Sequence, residues 1–274
     1  MSAPQDTSEQ FMPVLDGVGL VAGAANVIMQ LGRPAVGYGV YESRVESGRL
    51  FDHPVKRTRT TLTYLAVAAR GSDEEKAQYR KAVNRSHAQV RSTADSPVEY
   101  NAFDKDLQLW VAACLYRGFE DVHTAMHGPM DPADRETAYQ LGSTFGTTLQ
   151  MPRDMWPADR EAFEKYWDAA LDEVHIDDTI REHLLSVARV EFFGPVVSRL
   201  FSRINLFFTT GFLHEHFREQ MRLEWTAKDQ KRFDRIMRAT GAVSRRLPIP
   251  VRELPYRLLL RDVRRRIAAG KPLV

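Results

Sequence analysis

Residues 72–90 read SDEEKAQYRKAVNRSHAQV, and this stretch predicts an amphipathic helix over residues 73–92. Ser72 followed three residues later by Glu75 is a capping box, in which each side chain satisfies a backbone amide of the first turn. Four positions at steps of four, four and three share one face of this helix: Tyr79, Val83, His87 and Val90. The histidine is therefore predicted to point into the interior of the protein.

The same helical spacing of apolar residues runs along most of the chain, and few segments alternate as strands do. The predicted helices span 14–31, 34–47, 55–70, 73–92, 104–117, 131–149, 158–173, 177–209, 212–223, 226–241 and 254–269. Pro195 is expected to kink or restart the long helix around it. We therefore expect an all-α fold, with residues 1–12 as a loose or disordered tail and 13–274 as a single multi-helix domain.

The composition excludes several classes of protein. The net charge of the 274 residues is only +2, so we expect no nucleic-acid partner. The single cysteine, Cys114, excludes an internal disulfide and is compatible with a reducing compartment. The polar first ten residues lack the basic segment of a signal peptide, and the longest uncharged run, 17–32, is too short to span a bilayer. A cytoplasmic location is the expectation.

Spacing alone leaves two roles open for the inward-pointing His87. The more common role is that of a core histidine bonded to a backbone carbonyl. The other is that of an axial ligand to haem iron, for which a neutral imidazole in an apolar wall is well suited.

The preceding helix, 55–70, carries an arginine and two hydroxyls close together. One stripe of this helix, with Thr60 beside it, comprises Arg57, Thr61, Tyr64 and Ala68. These groups could bind a haem propionate or orient bound oxygen, but a surface arginine paired with a carboxylate has the same spacing. The apolar face around Trp110 is, on spacing alone, more typical of a core than of a cofactor site.

Other motifs carry weaker signals. Glu120, His123 and His127 would share one helix face and could bind a metal, but a ferritin-like site needs a second set that the chain lacks. A basic C-terminal helix has one apolar stripe: Tyr256, Leu260, Val263 and Ile267. We expect that stripe to dock on the protein; contact with an anionic membrane surface is the less favoured alternative.

Several short segments occur in the order found in the oxygenase family that joins fungal MpaB and bacterial rubber oxygenase (latex-clearing protein). The resembling segments are Met29–Pro34 with Gly39-Val40 and Ser43; Pro54 with Arg57 and Thr60-Thr61; Gly71; Asn84–Val90; Tyr100–Asp104; Leu109–Val111; Pro152–Phe163 with Tyr166-Trp167; and Phe212-Leu213 with Arg218, Leu223 and Trp225. They span roughly residues 15–245, and their shared order is the specific part of the resemblance.

The resemblance implies one b-type haem buried between helices of an all-α fold. In the family's His-x-x-Val motif the histidine is the proximal iron ligand, which here is His87. The distal Arg-x-x-x-Thr element matches Arg57 and Thr61, while Thr60 replaces the lysine of rubber oxygenases. Glu42 is the nearest candidate for the family's distal acid. The cofactor-binding residues that we expect are His87, Arg57, Tyr64, Val83, Val90 and Trp110.

The function that follows is a haem b-dependent oxygenase or peroxygenase. It would use molecular oxygen or a peroxide on a small apolar or aromatic substrate, because the flanking helices are rich in Phe, Leu and Val. A haem carrier or sensor without turnover is the alternative. A homodimer is common for such chains, although no exposed stripe of the sequence predicts one.

Overall fold

A computed structural model describes residues 16–45 and 49–274, and most of these residues are helical. The α-helices are α1 Gly23–Leu31, α2 Pro34–Tyr41, α3 Pro54–Arg70, α4 Asp73–His87, α5 Lys105–His127, α6 Pro132–Gly142, α7 Thr144–Thr147, α8 Arg160–Leu171, α9 Asp178–Ala188, α10 Pro195–Phe212, α11 Glu215–Gln220, α12 Ala227–Ser244, α13 Ile249–Arg252 and α14 Leu254–Ala268. Short 3-10 helices span Gly17–Ala22, Arg153–Met155 and Glu191–Phe193. No strand occurs in the described ranges, so the all-α prediction is confirmed. The predicted tail, residues 1–12, lies outside them.

Local signals in the sequence set several helix boundaries. Ser72 and Glu75 form the predicted capping box at the start of α4. The Asp104 carboxylate accepts two amides at the start of α5. Pro195 occupies the first turn of α10, where a missing amide costs no hydrogen bond.

The predicted helix over 73–92 is too long by five residues. Helix α4 ends at His87, and Val90 lies in the following loop, where its carbonyl accepts the amide of Ala102 at 3.0 Å. The pairing of this loop, which includes an isolated bridge between Arg91 and Asn101, replaces the last helical turn.

The predicted helix over 177–209 breaks between α9 and α10. Two residues in the break have positive φ, Val190 at 52° and Gly194 at 88°, and a right-handed helix cannot pass through them. The predictions over 104–117 and 131–149 were also wrong in extent, because α5 continues to His127 and a short break at Ser143 separates α6 from α7.

The main core lies around α5. The side chain of Trp110 stacks on Trp167 with ring centroids 5.3 Å apart, and Tyr116 meets the ring of Phe163 edge-on at 5.2 Å. Helices α1, α7 and α12 pack directly against α5. These contacts make α5 the central helix of the protein.

A second, smaller hydrophobic cluster joins α3, α4 and α14. Its buried side chains include Ala66, Val67, Tyr79, Tyr256, Leu260 and Val263. The stripe predicted on the C-terminal helix therefore docks against α3. Tyr64 and Leu65 touch both clusters, so the middle of α3 is where they meet. None of the helices within the described ranges combines the length and apolar character of a membrane span.

Candidate functional site

Helices α3 and α4 form an antiparallel hairpin whose open end brings two predicted site residues together. The chain turns at Gly71 and Ser72, so the first turn of α3 lies opposite the last turn of α4. The Tyr79 hydroxyl donates to the Thr60 carbonyl at 2.8 Å and fixes the two helices against each other. This pairing places Arg57 near His87, close enough for the cation to lower the pKa of the imidazole.

His87 ends α4 and is partly buried. Burial, with the nearby Arg57 cation as the smaller cause, lowers the pKa of its imidazole to about 4. The ring is therefore neutral at physiological pH. Its Nδ1 atom is buried and has no hydrogen-bond partner among the residues that the structure describes. The Phe103 ring meets it edge-on, with centroids 6.3 Å apart.

Arg57 carries a positive charge without a counter-charge. Burial lowers the pKa of its guanidinium, and no carboxylate within the described ranges forms an ion pair with it. By contrast Arg59, two residues further along α3, is paired with Asp262 at 3.0 Å. A buried guanidinium without an acid destabilises the protein unless an anion or another acceptor reaches it.

The hydroxyls of α3 make hydrogen bonds within the protein. Thr60 donates to the Lys56 carbonyl at 2.9 Å, and Thr61 donates to the Arg57 carbonyl at 3.1 Å. Tyr64 donates to the Phe145 carbonyl, and burial raises the pKa of its phenol. These oxygens can still accept a hydrogen bond, but their protons are committed. The remaining donor on this stripe is Arg57.

The loop after α4 packs against α2. Val90 packs near Gly39 of α2, where an added Cβ atom would lie 3.7 Å from the valine Cγ1 and 3.3 Å from a ring carbon of Tyr100. Glu42, just past the end of α2, accepts hydrogen bonds from Tyr100 at 2.8 Å and Ser96 at 2.7 Å. The candidate distal acid is thus held beside the loop that carries Val90.

Trp110 lies in the aromatic core. Its indole donates to the Gln30 carbonyl at 3.0 Å, and its ring lies between Trp167, Phe217 and the guanidinium of Arg33. No part of the side chain is accessible, so it borders other side chains rather than an open cleft. Val83, in contrast, is partly exposed on α4 next to the second cluster.

Sequence reasoning missed the amide side chains that support α4. Asn84 accepts a hydrogen bond from Gln150, whose side-chain oxygen accepts another from Gln108 at 2.6 Å. Arg80 donates to the Thr148 carbonyl at 3.1 Å. Asn84 stands in one of the resembling segments, but its partner Gln150 is 66 residues away in sequence, which no local pattern reveals.

Two residues of the alternative metal site on α5, Glu120 and His127, contact arginine side chains. The Glu120 carboxylate pairs with Arg135 at 2.5 Å, Arg160 at 2.9 Å and Arg117 at 3.5 Å. His127 Nδ1 lies 2.9 Å from the guanidinium of Arg245. Among the residues with described positions, no group of three His, Cys, Asp or Glu side chains could hold a metal ion.

Comparison with known proteins gives one family and two relatives. The profile of the family described as ER-bound oxygenase mpaB/B'/Rubber oxygenase, catalytic domain, matches residues 14–242. Uncharacterized proteins of Mycobacterium bovis and Mycobacterium tuberculosis are each 50% identical to this chain over 251 residues, which is 92% of this chain and 98% of each relative. No solved structure matches the chain. The segment matched by the family profile includes every residue of the candidate site.

Proposed function

Because the chain belongs to the family of MpaB and rubber oxygenase catalytic domains, we propose that it is an oxygenase that binds haem b through His87. The substrate we propose is a small apolar or aromatic molecule, with molecular oxygen or a peroxide as the oxidant. A haem carrier or sensor with the same ligand is the second candidate.

One observation carries the proposal: a neutral imidazole lies near an arginine that pairs with no acid among the described residues. The buried Nδ1 of His87 lacks a hydrogen bond within the described ranges, whereas buried polar atoms in native proteins nearly always have one. A buried nitrogen atom without a partner is consistent with a site that binds a ligand or a water molecule. A low imidazole pKa also keeps the ring free of the proton that would compete with a metal ion.

The side chains that we propose as the haem pocket support this assignment by their burial and chemistry. Val83, Val90 and Tyr64 are partly buried and mostly apolar, as a porphyrin wall must be. The Arg57 guanidinium supplies a charge that can bind a carboxylate or orient a bound oxidant. Val90 packs on the main core, Val83 on the second cluster and Tyr64 on both, and spaces between packed helices are common places for cofactors.

When bound, the haem would supply the iron that reacts with the oxidant. His87 would hold the iron, and Phe103 would limit the rotation of the imidazole ring. Arg57 would donate hydrogen bonds that Thr60 and Thr61 cannot, since their protons bond to α3. Glu42 would supply a carboxylate beside the loop that carries Val90, with its orientation fixed by Tyr100 and Ser96. The surrounding helices would exclude water from the reacting groups.

The test is a visible spectrum of the protein produced in a haem-replete host. We expect a Soret band that disappears in His87→Ala while the helical circular dichroism remains. His216→Ala is the matched control, because His216 Nε2 is likewise buried and without a partner in the described part of the chain. A band that survives His87→Ala, or that is lost only in His216→Ala, would show that the ligand is wrong. A colourless wild-type protein with intact helices would exclude both haem candidates.

Turnover separates the oxygenase from the carrier. With a lipophilic substrate panel, an oxygenase consumes oxygen or peroxide in proportion to the product formed. A carrier keeps its Soret band and consumes neither. Arg57→Gln is expected to reduce turnover more strongly than Arg59→Gln, because Arg59 already has Asp262 as its partner.

A further inference from the structure

Helix α10 carries apolar side chains on the surface of the protein. Val196, Leu200 and Ile204 recur every four residues and are 71%, 65% and 57% exposed. The rings of Phe193 and Phe201 lie beside them and are also exposed. A repeated apolar stripe at this exposure is unusual for a protein surface without a binding partner.

The charged residues of α10 itself, Pro195–Phe212, are both arginines. Arg199 and Arg203 are exposed, and neither pairs with an acid among the described residues. Residues 192–214 contain no Asp or Glu. Helix α10 therefore presents an apolar stripe with cations beside it.

The segment 245–258 repeats the same combination. Its exposed apolar side chains are Leu247, Ile249, Val251, Leu254 and Leu258. The only acid between residues 235 and 261 is Glu253, which is buried and pairs with Arg70 and Arg257. Arg246 in this segment and Arg261, three residues after it, are exposed and have no acid partner in the described ranges.

The 3-10 helix Gly17–Ala22 connects these two segments. It packs against both α10 and α14, and an added Cβ atom at Gly17 would lie 3.0 Å from Pro255. Its Val18 and Leu20 side chains are exposed as well. We name the surface formed by these three elements the basic apolar face.

We propose that the basic apolar face binds the surface of an anionic lipid bilayer. Apolar side chains would enter the boundary between headgroups and acyl chains, and the arginines would lie among the phosphates. A second copy of the chain fits less well, because a two-fold contact would place one set of arginines against the other. The inference does not depend on haem binding, since none of these residues belongs to the candidate site.

Flotation with vesicles tests the proposal on the full chain. One set of vesicles is phosphatidylcholine alone, and the other contains phosphatidylglycerol in addition. We expect binding to the mixed vesicles and much weaker binding to phosphatidylcholine. Two charge removals in Arg199→Gln/Arg203→Gln are expected to weaken that binding by about thirtyfold. Leu200→Glu/Ile204→Glu should abolish it, with circular dichroism confirming the fold.

Lys81→Gln/Arg85→Gln is the matched control, because it removes two exposed cations at the same spacing from α4. It should bind as the wild type does. Equal loss in this control, equal binding to both kinds of vesicle, or no binding at all would overturn the proposal. So would a wild-type dimer in light scattering that Leu200→Glu/Ile204→Glu converts to monomers, since that result assigns the face to a second copy.

Discussion

At the scale of single residues, the candidate site is made of groups that weaken the fold. The Arg57 guanidinium is half-buried and pairs with no acid in the described ranges, so it loses hydration without gaining an ion pair. An imidazole nitrogen without a hydrogen bond has the same disadvantage. A ligand that interacts with such groups offsets the free energy lost with their hydration. Substitution of Arg57 therefore tests whether the site binds a ligand.

Arg57→Gln is therefore expected to have opposite effects on stability and on cofactor retention. In haem-free protein the free energy of unfolding should rise by up to about 1 kcal/mol, because a half-buried charge without an acid partner in the described ranges is removed. In haem-replete protein the Soret absorbance per chain should fall. Urea unfolding and the visible spectrum measure the two effects.

Arg59→Gln provides the comparison on the same helix. It breaks an ion pair with Asp262, so it should lower stability by up to about 1 kcal/mol and leave the spectrum unchanged. If Arg57→Gln destabilised the haem-free protein as Arg59→Gln does, Arg57 would be an ordinary structural arginine.

At the scale of secondary-structure elements, side-chain contacts at helix ends determine how helices are positioned. Asp177 caps α9 by accepting the amide of Ile180 at 2.9 Å, and its other oxygen accepts the Tyr38 hydroxyl of α2 at 2.7 Å. Burial raises the pKa of this carboxyl, but hydrogen bonds from Ile180, Tyr38 and Thr179, with a smaller effect of His175, outweigh burial and lower the pKa overall. One carboxylate thus caps α9 and attaches it to α2.

Asp177→Asn should make the protein less sensitive to acid. A carboxyl whose folded pKa lies below its unfolded value stabilises the fold above the unfolded pKa, near 3.8, and this stability is lost as the pH falls further. The fall in unfolding free energy between about pH 7 and about pH 3 should be smaller in the variant, by up to about 1 kcal/mol. Asp178→Asn, which alters an exposed carboxylate on the same turn, should retain the wild-type difference. Identical acid sensitivity in Asp177→Asn and the wild type would contradict the assignment.

The break between α9 and α10 includes a strained residue. Val190 has φ 52° and ψ 33°, a left-handed conformation that β-branched side chains strongly disfavour. Val190→Asn should raise the free energy of unfolding by about 1 kcal/mol, since asparagine tolerates this conformation. Val190→Ala keeps the Cβ atom and loses contacts, so it should be less stable than Val190→Asn. The reverse order in thermal melts would show that packing outweighs strain here.

The helix boundaries differ in how well the sequence predicts them. Periodicity, the capping box and prolines predict the helical class, the start of α4 and the restart at Pro195, because each depends on neighbouring residues. The end of α4 at His87 and the left-handed Val190 depend on a loop pairing and on packing between distant segments. The candidate site shows the same difference. The apolar stripe of α4 predicts that His87 points inward, whereas the proximity of His87 to Arg57 depends on the α3–α4 hairpin.

At the scale of the whole molecule, the candidate site and the basic apolar face involve different parts of the fold. The site lies at the open end of the α3–α4 hairpin. The face is built from α10, the 3-10 helix at Gly17–Ala22 and the segment leading into α14. Variants of one surface should therefore leave the other unaffected, and the spectral and flotation experiments can be interpreted independently.

One glycine determines how closely the C-terminal helices approach the central one. A Cβ atom at Gly241 would lie 1.9 Å from the carbonyl oxygen of Met126, so α12 crosses α5 with backbone against backbone. Gly241→Ala should destabilise the protein by about 2 kcal/mol. Gly23→Ala, at a helical position with open space around it, should be neutral or slightly stabilising.

The same crossing controls how the beginning of the described chain is attached. Ser244, one turn after the glycine, donates a hydrogen bond to Asp16, and Arg252 pairs with that carboxylate at 3.2 Å. A single methyl group that pushes α12 outward would separate Ser244 from Asp16. In Gly241→Ala, hydrogen exchange should then accelerate first in the amides of residues 17–22, well before the rest of the protein opens. That region would become the earliest site of cleavage by a protease.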